Sequence, residues 1–548
     1  MTTWQKIPLG VLCLGSGGAL TVWSAAAILL AVTQTRQGLQ MPQFLALVVG
    51  LFVLGASVDL LRRRPAPDAK QGIIAKSIWA TRRHIDACGI GENQEKPEAS
   101  EGIYLGNFAG KSAPVRLRYK GPKHVLCLGT PGTNKSMGLV VPNLAHLRRS
   151  IIVIDPKLQI AAITARKRVQ LGKTIILNPF GLLADDEHLQ SDGWNPLLQL
   201  DPESFDFEAD AMCIADALIE KSNDGGNSRF FDNSAENLVA ALVMWERYTK
   251  GEKASLANIR AELSQRTIYA KKSKRPVGGL LYTLKRMAEC TEHNTISDAG
   301  GRLYYRLTDP NSHATSAQDV IDTVLASTKF LNNPHIRADM AHGGRIDFGV
   351  LHREITTIFV GLPPHQLTHQ AKWLRLFVNL ALADLFKNPP ISGATLPPVL
   401  FMLDEFGNLG RLSQILSALN MSRDYSIQLF LFLQNLAQLK ASYPKDWTSF
   451  FSGAGAVTTF QTGDTETQEE LSKLYGNREE YIQTETNNGI SNTPHAIPLI
   501  RPEDISRLGR GETINLIDPC KMPVQGHAPV YPETPWTDGL DPNPYYRG

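Results

Sequence analysis

Two short stretches, far apart in the chain, carry the residue types of phosphate chemistry. The first is Gly129-Thr130-Pro131-Gly132-Thr133-Asn134-Lys135-Ser136. It follows an apolar run, 124–128, and precedes a second apolar stretch, 137–147, in the order strand, loop, helix. In that order, loop N–H groups and the helix N-terminus can cradle phosphate oxygens. Lys135 can reach the β- and γ-phosphates, and the Ser136 hydroxyl can ligate Mg²⁺. Asn134 stands where such a loop usually has its last glycine, and asparagine tolerates a left-handed backbone better than most residues. A match this degenerate arises by chance roughly 0.3 times in a chain of this length, so its context must decide.

That context is the second stretch, Val399-Leu400-Phe401-Met402-Leu403-Asp404-Glu405, a buried-strand pattern that ends in two adjacent carboxylates. Phosphoryl transfer needs one acid to hold the Mg²⁺ shell, here Asp404, and a neighbour to polarise the attacking water, here Glu405. Ile151-Ile152-Val153-Ile154-Asp155 competes for the first role, but Pro156 and Lys157 follow it and no second acid is present. Asp155 therefore reads as a neighbouring-strand residue that lines the site.

Several elements must position these groups. From residue 123 onward, short apolar runs at 124–128, 151–154, 174–177, 355–360, 399–403 and 429–433 alternate with helical or turn segments. This is the pattern of a mostly parallel α/β sheet. Between about 201 and 331 the strand signal gives way to helical faces, one opening at Asn233 and Glu236 in capping-box spacing and running through Leu238, Leu242 and Trp245. The resulting partition is a nucleotide-binding core at 123–200 and 332–522, an all-α insertion at 201–331, a linker at 65–122 and an extended tail at 523–548. The tail assignment rests on its Pro, Gly and Tyr content.

Upstream, residues 9–32 and 41–61 are long enough and apolar enough to span a bilayer as helices, which makes 1–64 an anchor. A single arginine, Arg36, lies between them, whereas Arg62, Arg63 and Arg64 follow the second, so both ends are expected on the cytoplasmic side. A net charge of +3 over 548 residues gives no chain-wide field for nucleic acid. Any such contact must be local, for example at Lys271-Lys272-Ser273-Lys274-Arg275. The six cysteines contain no CxxC pair, which argues against a zinc ribbon or a disulfide framework.

Taken with their order, these blocks resemble the TraG/TraD-type coupling proteins of type IV secretion and conjugation. The resemblance runs through Ser77-Ile78-Trp79-Ala80-Thr81, the phosphate loop with Val141-Pro142-Asn143-Leu144, and Asp155-Pro156-Lys157. It continues through Leu403-Asp404-Glu405-Phe406-Gly407-Asn408-Leu409-Gly410, Leu433-Gln434-Asn435-Leu436-Ala437-Gln438-Leu439, Gly463-Asp464-Thr465-Glu466-Thr467 and Pro498-Leu499-Ile500-Arg501-Pro502-Glu503-Asp504-Ile505. The chain departs from the family at Asn134 and at Leu158-Gln159, where Gly-Glu is usual.

The resemblance implies a RecA-like P-loop ATPase core, using ATP and Mg²⁺, with the insertion as a cap that meets substrate first. It also implies a ring of six around a channel at the bacterial inner membrane. Partners would be the channel proteins and either a relaxase carrying single-stranded DNA or protein effectors. Gln434 would sense the γ-phosphate or orient water, and Arg423 would be the finger that reaches a neighbour's γ-phosphate. Two other readings use the same motifs: a chromosome-partition DNA translocase, and a receptor that keeps the fold without hydrolysis.

Overall fold

The computed structural model describes residues 76–92, 102–109, 115–219, 227–265, 268–269, 276–309, 314–390, 396–421, 424–486 and 489–545. The two apolar spans, the basic run 271–275 and Arg423 lie outside them. Among the described residues no helix is long and apolar enough to cross a membrane.

A twelve-stranded sheet organises the molecule. In chain order its strands are β1 (Gly91–Glu92), β2 (Ile103–Phe108), β3 (Arg116–Tyr119), β4 (His124–Leu128), β5 (Ile151–Ile154), β6 (Lys173–Leu177), β7 (Thr356–Val360), β8 (Val399–Leu403), β9 (Ile427–Leu433), β10 (Ala454–Thr459), β11 (Glu512–Ile517) and β12 (Cys520–His527). They lie side by side as β1-β3-β2-β12-β11-β10-β4-β9-β8-β5-β7-β6. Neighbours from β10 to β6 are parallel. Those from β10 back to β1 are antiparallel.

Successive side chains of a strand point to opposite faces, so a strand covered on both sides reads as an unbroken apolar run. In β8, Val399, Phe401 and Leu403 enter one core while Leu400 and Met402 enter the other. The first core also takes up the inserted helices and the long helix Leu367–Lys387, whose Trp373 and Phe377 pack on Trp194. The second is closed by the helices that follow β4 and β5.

Four expectations change in detail. The stretch taken for a linker supplies β1, β2 and β3, because Ile103, Leu105 and Leu117 are buried and Arg118 finds a partner in Glu92 at 2.9 Å. The stretch taken for an extended tail completes β12 and then folds back, burying Trp536 against Tyr104 and His146. The insertion is not wholly helical, since Ile268–Tyr269 and Pro276–Gly278 pair as a short ribbon. The helix expected to open at Asn233 instead spans Asn227–Lys250, extended N-terminally by Phe231, which packs on the same core as Ala235 and Leu238. An antiparallel hairpin, Asn477–Thr486 with Gly489–Pro498, had no counterpart in the sequence reading.

Candidate nucleotide site

The parallel strands end within two residues of a common level. Leu128 pairs with Leu433, Leu431 with Leu403, Leu403 with Ile154, and Ile154 with Val360. Gly129, Gln434, Asp404 and Asp155 therefore emerge from one carboxyl edge, the place where open α/β sheets bind ligands. Residues hundreds of positions apart become neighbours through strand order alone.

The loop after β4 is anchored at both sides. Gly129 N–H donates to the Leu433 carbonyl at 3.0 Å, and Thr130 N–H to the Gln461 carbonyl at 2.9 Å. The Thr133 hydroxyl closes the turn on the Thr130 carbonyl at 2.8 Å. Gly132 at φ +83° and Asn134 at φ +76° give the left-handed steps of a cradle. The Lys135 ammonium donates to the carbonyls of Gly129 and, at 2.8 Å, Thr130, so it bends back over the loop's hollow. Burial lowers its pKa, partly offset by the nearby Asp404 and Glu405.

Ser136–Val140 continues as a π-turn before the helix Val141–His146. Pro142 has no N–H to give the Gly138 carbonyl, so the ordinary α-helical bond is unavailable there. Arg168, fully buried, holds the far end of this helix by donating to the carbonyls of Leu144 and Leu147. These are the orphan acceptors of a helix C-terminus, where a cation is also favoured by the dipole.

Opposite the loop, the Ser136 hydroxyl donates to Asp404 Oδ2 at 2.8 Å. Burial raises the Asp404 pKa and the Glu405 charge adds to the shift, while the Ser136 bond and Lys135 oppose it. Glu405 adopts φ +62°, a left-handed conformation that costs a non-glycine residue roughly 1–2 kcal/mol. Its Oε2 thereby accepts from Gln434 Nε2 at 2.7 Å and from Asn408 Nδ2 at 3.1 Å.

Asp155 has a different role from that of its neighbour. It is 2 % exposed, and its Oδ2 accepts from Ala161 N–H at 2.8 Å, capping the helix Gln159–Leu171 from below. Burial pushes its pKa up to about 7, with the Asp404 charge acting in the same direction. The turn from Asp155 into that helix passes through Leu158 at φ +50°. That residue is fully buried, and burying a leucine contributes about 1.5–3 kcal/mol, enough to offset the left-handed cost.

The structure thus joins Ser136 to Asp404 and Glu405 to Gln434 on one edge. Lys135 lies within electrostatic reach of both acids. Three contributors were not legible in the sequence. They are Gln461 behind the loop, Arg510 whose Nε donates to Asn134 Oδ1 at 3.0 Å, and the tail, whose Asn543 accepts from Gln159 Nε2 at 2.9 Å. No local pattern points across separations of 331 to 384 residues.

The site's oxygens and ammonium suit a Mg²⁺–nucleotide pair. A hydroxyl and a carboxylate at hydrogen-bond distance are hard donors of the kind Mg²⁺ takes, and the loop offers N–H groups and a lysine for phosphates.

Fold and edge together define a P-loop α/β protein. The chain belongs to the family described as Type IV secretory system Conjugative DNA transfer, whose pattern matches residues 68–535. It is 25% identical over 453 residues to "Conjugal transfer protein TraG" of Escherichia coli, covering 78% of this chain and 68% of that one. "Protein VirD4" of Agrobacterium fabrum is 24% identical over 433 residues, 74% of this chain and 57% of that one. Among solved structures, the unbound bacterial conjugative coupling protein TrwBdeltaN70 superposes with a TM-score of 0.60 at 14% identity, over 86% of this chain and 97% of that one. TrwB in complex with ADP and Mg²⁺ gives a TM-score of 0.58 at 13% identity, over 85% of this chain and 96% of that one.

Proposed function

We propose that this chain is the coupling ATPase of a type IV secretion system, which recruits relaxase-linked single-stranded DNA or protein effectors and drives their entry into the channel. The observation that carries this reading is the pair of contacts on one sheet edge, Ser136 to Asp404 and Glu405 to Gln434. A fold relative, TrwB, has been solved with ADP and Mg²⁺. Here residues 129–136 would hold the phosphates of ATP, while Ser136 and Asp404 would ligate Mg²⁺.

Bound Mg²⁺ supplies charge neutralisation at the phosphates. The chain's own groups supply the rest. Lys135 exchanges its loop carbonyls for phosphate oxygens, because a charged acceptor binds an ammonium more strongly than a neutral one. Glu405 orients and deprotonates a water, and Gln434 fixes the Glu405 carboxylate while offering its amide to the same region. Arg423 is assigned as the finger that a neighbouring subunit receives in a ring of six. Residues 1–64 anchor the chain twice through the inner membrane with both termini cytoplasmic, and the inserted helices at 201–331 form the cap that meets substrate. The channel's inner-membrane proteins are the partners at the exit.

The test is ATP hydrolysis by the full-length protein in detergent or native membranes, with and without single-stranded DNA, alongside transfer frequency in cells. Lys135→Ala should abolish both activities while leaving the protein in the membrane. Transfer at the wild-type frequency by that variant would end the motor reading.

A further inference from the structure

Arg510 reaches the phosphate loop from the far end of the chain. Its Nε donates to Asn134 Oδ1 at 3.0 Å, and among the described residues it forms no ion pair with a carboxylate. The nearest acid along its own turn is otherwise engaged, since the Glu512 carboxylate accepts from Gly509 N–H at 2.7 Å.

The turn that carries Arg510 is braced. Gly511 takes φ +82°, and its carbonyl accepts from Ala528 N–H at 2.7 Å, which ties the turn to the strand end of β12. A second link runs through Gln461: its Nε2 donates to the Ser506 carbonyl at 3.0 Å, while its own carbonyl accepts from Thr130 in the phosphate loop. Loop and turn are therefore connected twice, once through Gln461 and once through the Arg510 side chain. The connection through Gln461 does not involve the guanidinium, so the latter is placed rather than required for holding the turn.

A guanidinium presents five N–H donors in a planar fork, and the Asn134 bond occupies only the Nε position. Among the described residues the terminal nitrogens have no partner, and the loop that Arg510 reaches offers N–H groups and a lysine suited to anions. A fork of this kind binds phosphate oxygens in pairs, which an ammonium does not do.

We propose that Arg510 is a nucleotide-binding residue, seated by Asn134 so that its terminal nitrogens bind the phosphate chain of the ATP held by the same subunit. The proposal rests on reading residues 129–136 as the ATP site. It gives Asn134 a role that its backbone does not explain. Glycine would adopt φ +76° at no steric cost but would offer no acceptor for the arginine.

The experiment measures KM and kcat for ATP, and binding of a fluorescent ATP analogue, on full-length protein carrying Arg510→Ala, Arg510→Lys, Asn134→Gly or the Ala–Gly pair. Losing a charge-assisted contact to phosphate should raise KM about tenfold in Arg510→Ala with kcat within about twofold. Arg510→Lys should recover part of that rise. Asn134→Gly should raise KM by less, and should add nothing in the Arg510→Ala background, because both substitutions remove one interaction. Unchanged KM and analogue affinity in Arg510→Ala, with Lys135→Ala inactive, would overturn the role of Arg510 and leave the ATP site standing. A fall in kcat at constant KM would also overturn it. If Lys135→Ala itself binds and hydrolyses normally, the underlying site assignment fails instead.

Discussion

One sheet contains two differently built halves. From β10 to β6 the strands are parallel, mostly apolar, and lined up so that their carboxyl ends present Gly129, Gln434, Asp404 and Asp155. From β11 to β1 they are antiparallel and carry polar residues into the interior. Arg118 is fully buried, paired with Glu92, donating to the Gly102 carbonyl at 3.0 Å and lying 4.9 Å over the Trp536 ring. A buried charge is tolerable only with such partners. The parallel half holds the candidate site, and the antiparallel half braces it. It contributes the Arg510 turn and the tail that crosses the helix Gln159–Leu171.

The sharpest division between the halves concerns chemistry. Glu405→Gln keeps the shape of the parallel edge, and an amide at that position can still pair with Gln434. It removes the carboxylate that, in the proposed function, takes a proton from water. ATP hydrolysis should fall at least about a hundredfold while nucleotide binding is retained, as measured by turnover and by analogue affinity. Loss of binding instead would reassign Glu405 from water to Mg²⁺.

The same division explains what could be read beforehand. Parallel strands announce themselves because both faces are buried, so 124–128, 151–154 and 399–403 stand out as apolar runs. Their ends carry the loop and the acids from which the candidate site is read. The antiparallel strands are mixed: β3 reads Arg-Leu-Arg-Tyr, and its arginines look solvated until Glu92 and Trp536 are brought to them. The tail is rich in Pro, Gly and Tyr, a composition that predicts an extended segment, yet Asp541 N–H donates to the Ile163 carbonyl at 2.9 Å and Tyr545 OH to the Lys157 carbonyl at 2.9 Å. Composition describes a segment by itself, whereas these partners come from elsewhere in the chain. The left-handed residues Asn134 and Leu158 were visible as oddities of sequence, but their compensations, an arginine partner and full burial, were not.

If the antiparallel half is a brace, removing its wedge should cost stability more than catalysis. Trp536 is 8 % exposed, stacks on His146 at 4.4 Å and meets the Tyr104 ring edge-on at 5.1 Å. Trp536→Ala should destabilise the protein by about 3 kcal/mol, seen as a lower melting temperature. Turnover per folded molecule should change little. A melting temperature equal to that of the wild type would mean that the halves are stable independently.

Within the parallel half, burial raises the pKa of Asp155 as it does that of Asp404, and Asp155 carries a pH test. Asp155 is raised by burial to about 7, above the ordinary carboxylate value it has when unfolded. Between those two values the folded protein binds more protons than the unfolded chain. Stability contributed by this group is therefore full at low pH, falls as pH rises toward 7, and is flat above. In nucleotide-free protein, Asp155→Asn keeps an oxygen for Ala161 N–H and does not ionise. It should melt like wild type near pH 4 and above it at pH 8. Equal melting at both values would place the Asp155 pKa in the ordinary range.

The smallest expected effect lies where the two halves touch at the helix Gln159–Leu171. Gln159 Nε2 donates to Asn543 Oδ1 at 2.9 Å, and the same oxygen accepts from Tyr545 N–H at 3.0 Å. Gln159→Glu leaves no donor there and sets a carboxylate against that oxygen. Rotating the Asn543 amide would give the introduced carboxylate a donor but leave Tyr545 N–H without its acceptor, so the tail cannot keep both bonds. Against this, an acidic residue in the first turn gains about 0.3–1 kcal/mol from the helix dipole. A single neutral hydrogen bond is worth about 1 kcal/mol, so the terms nearly cancel and overall melting should barely move. The local signature does not cancel: amide exchange at Tyr545 should quicken while that at Ala161, held by Asp155, stays slow. Unchanged exchange at Tyr545 would show that Arg166 and Lys167, facing Asp541 and Asp538, hold the tail without Gln159.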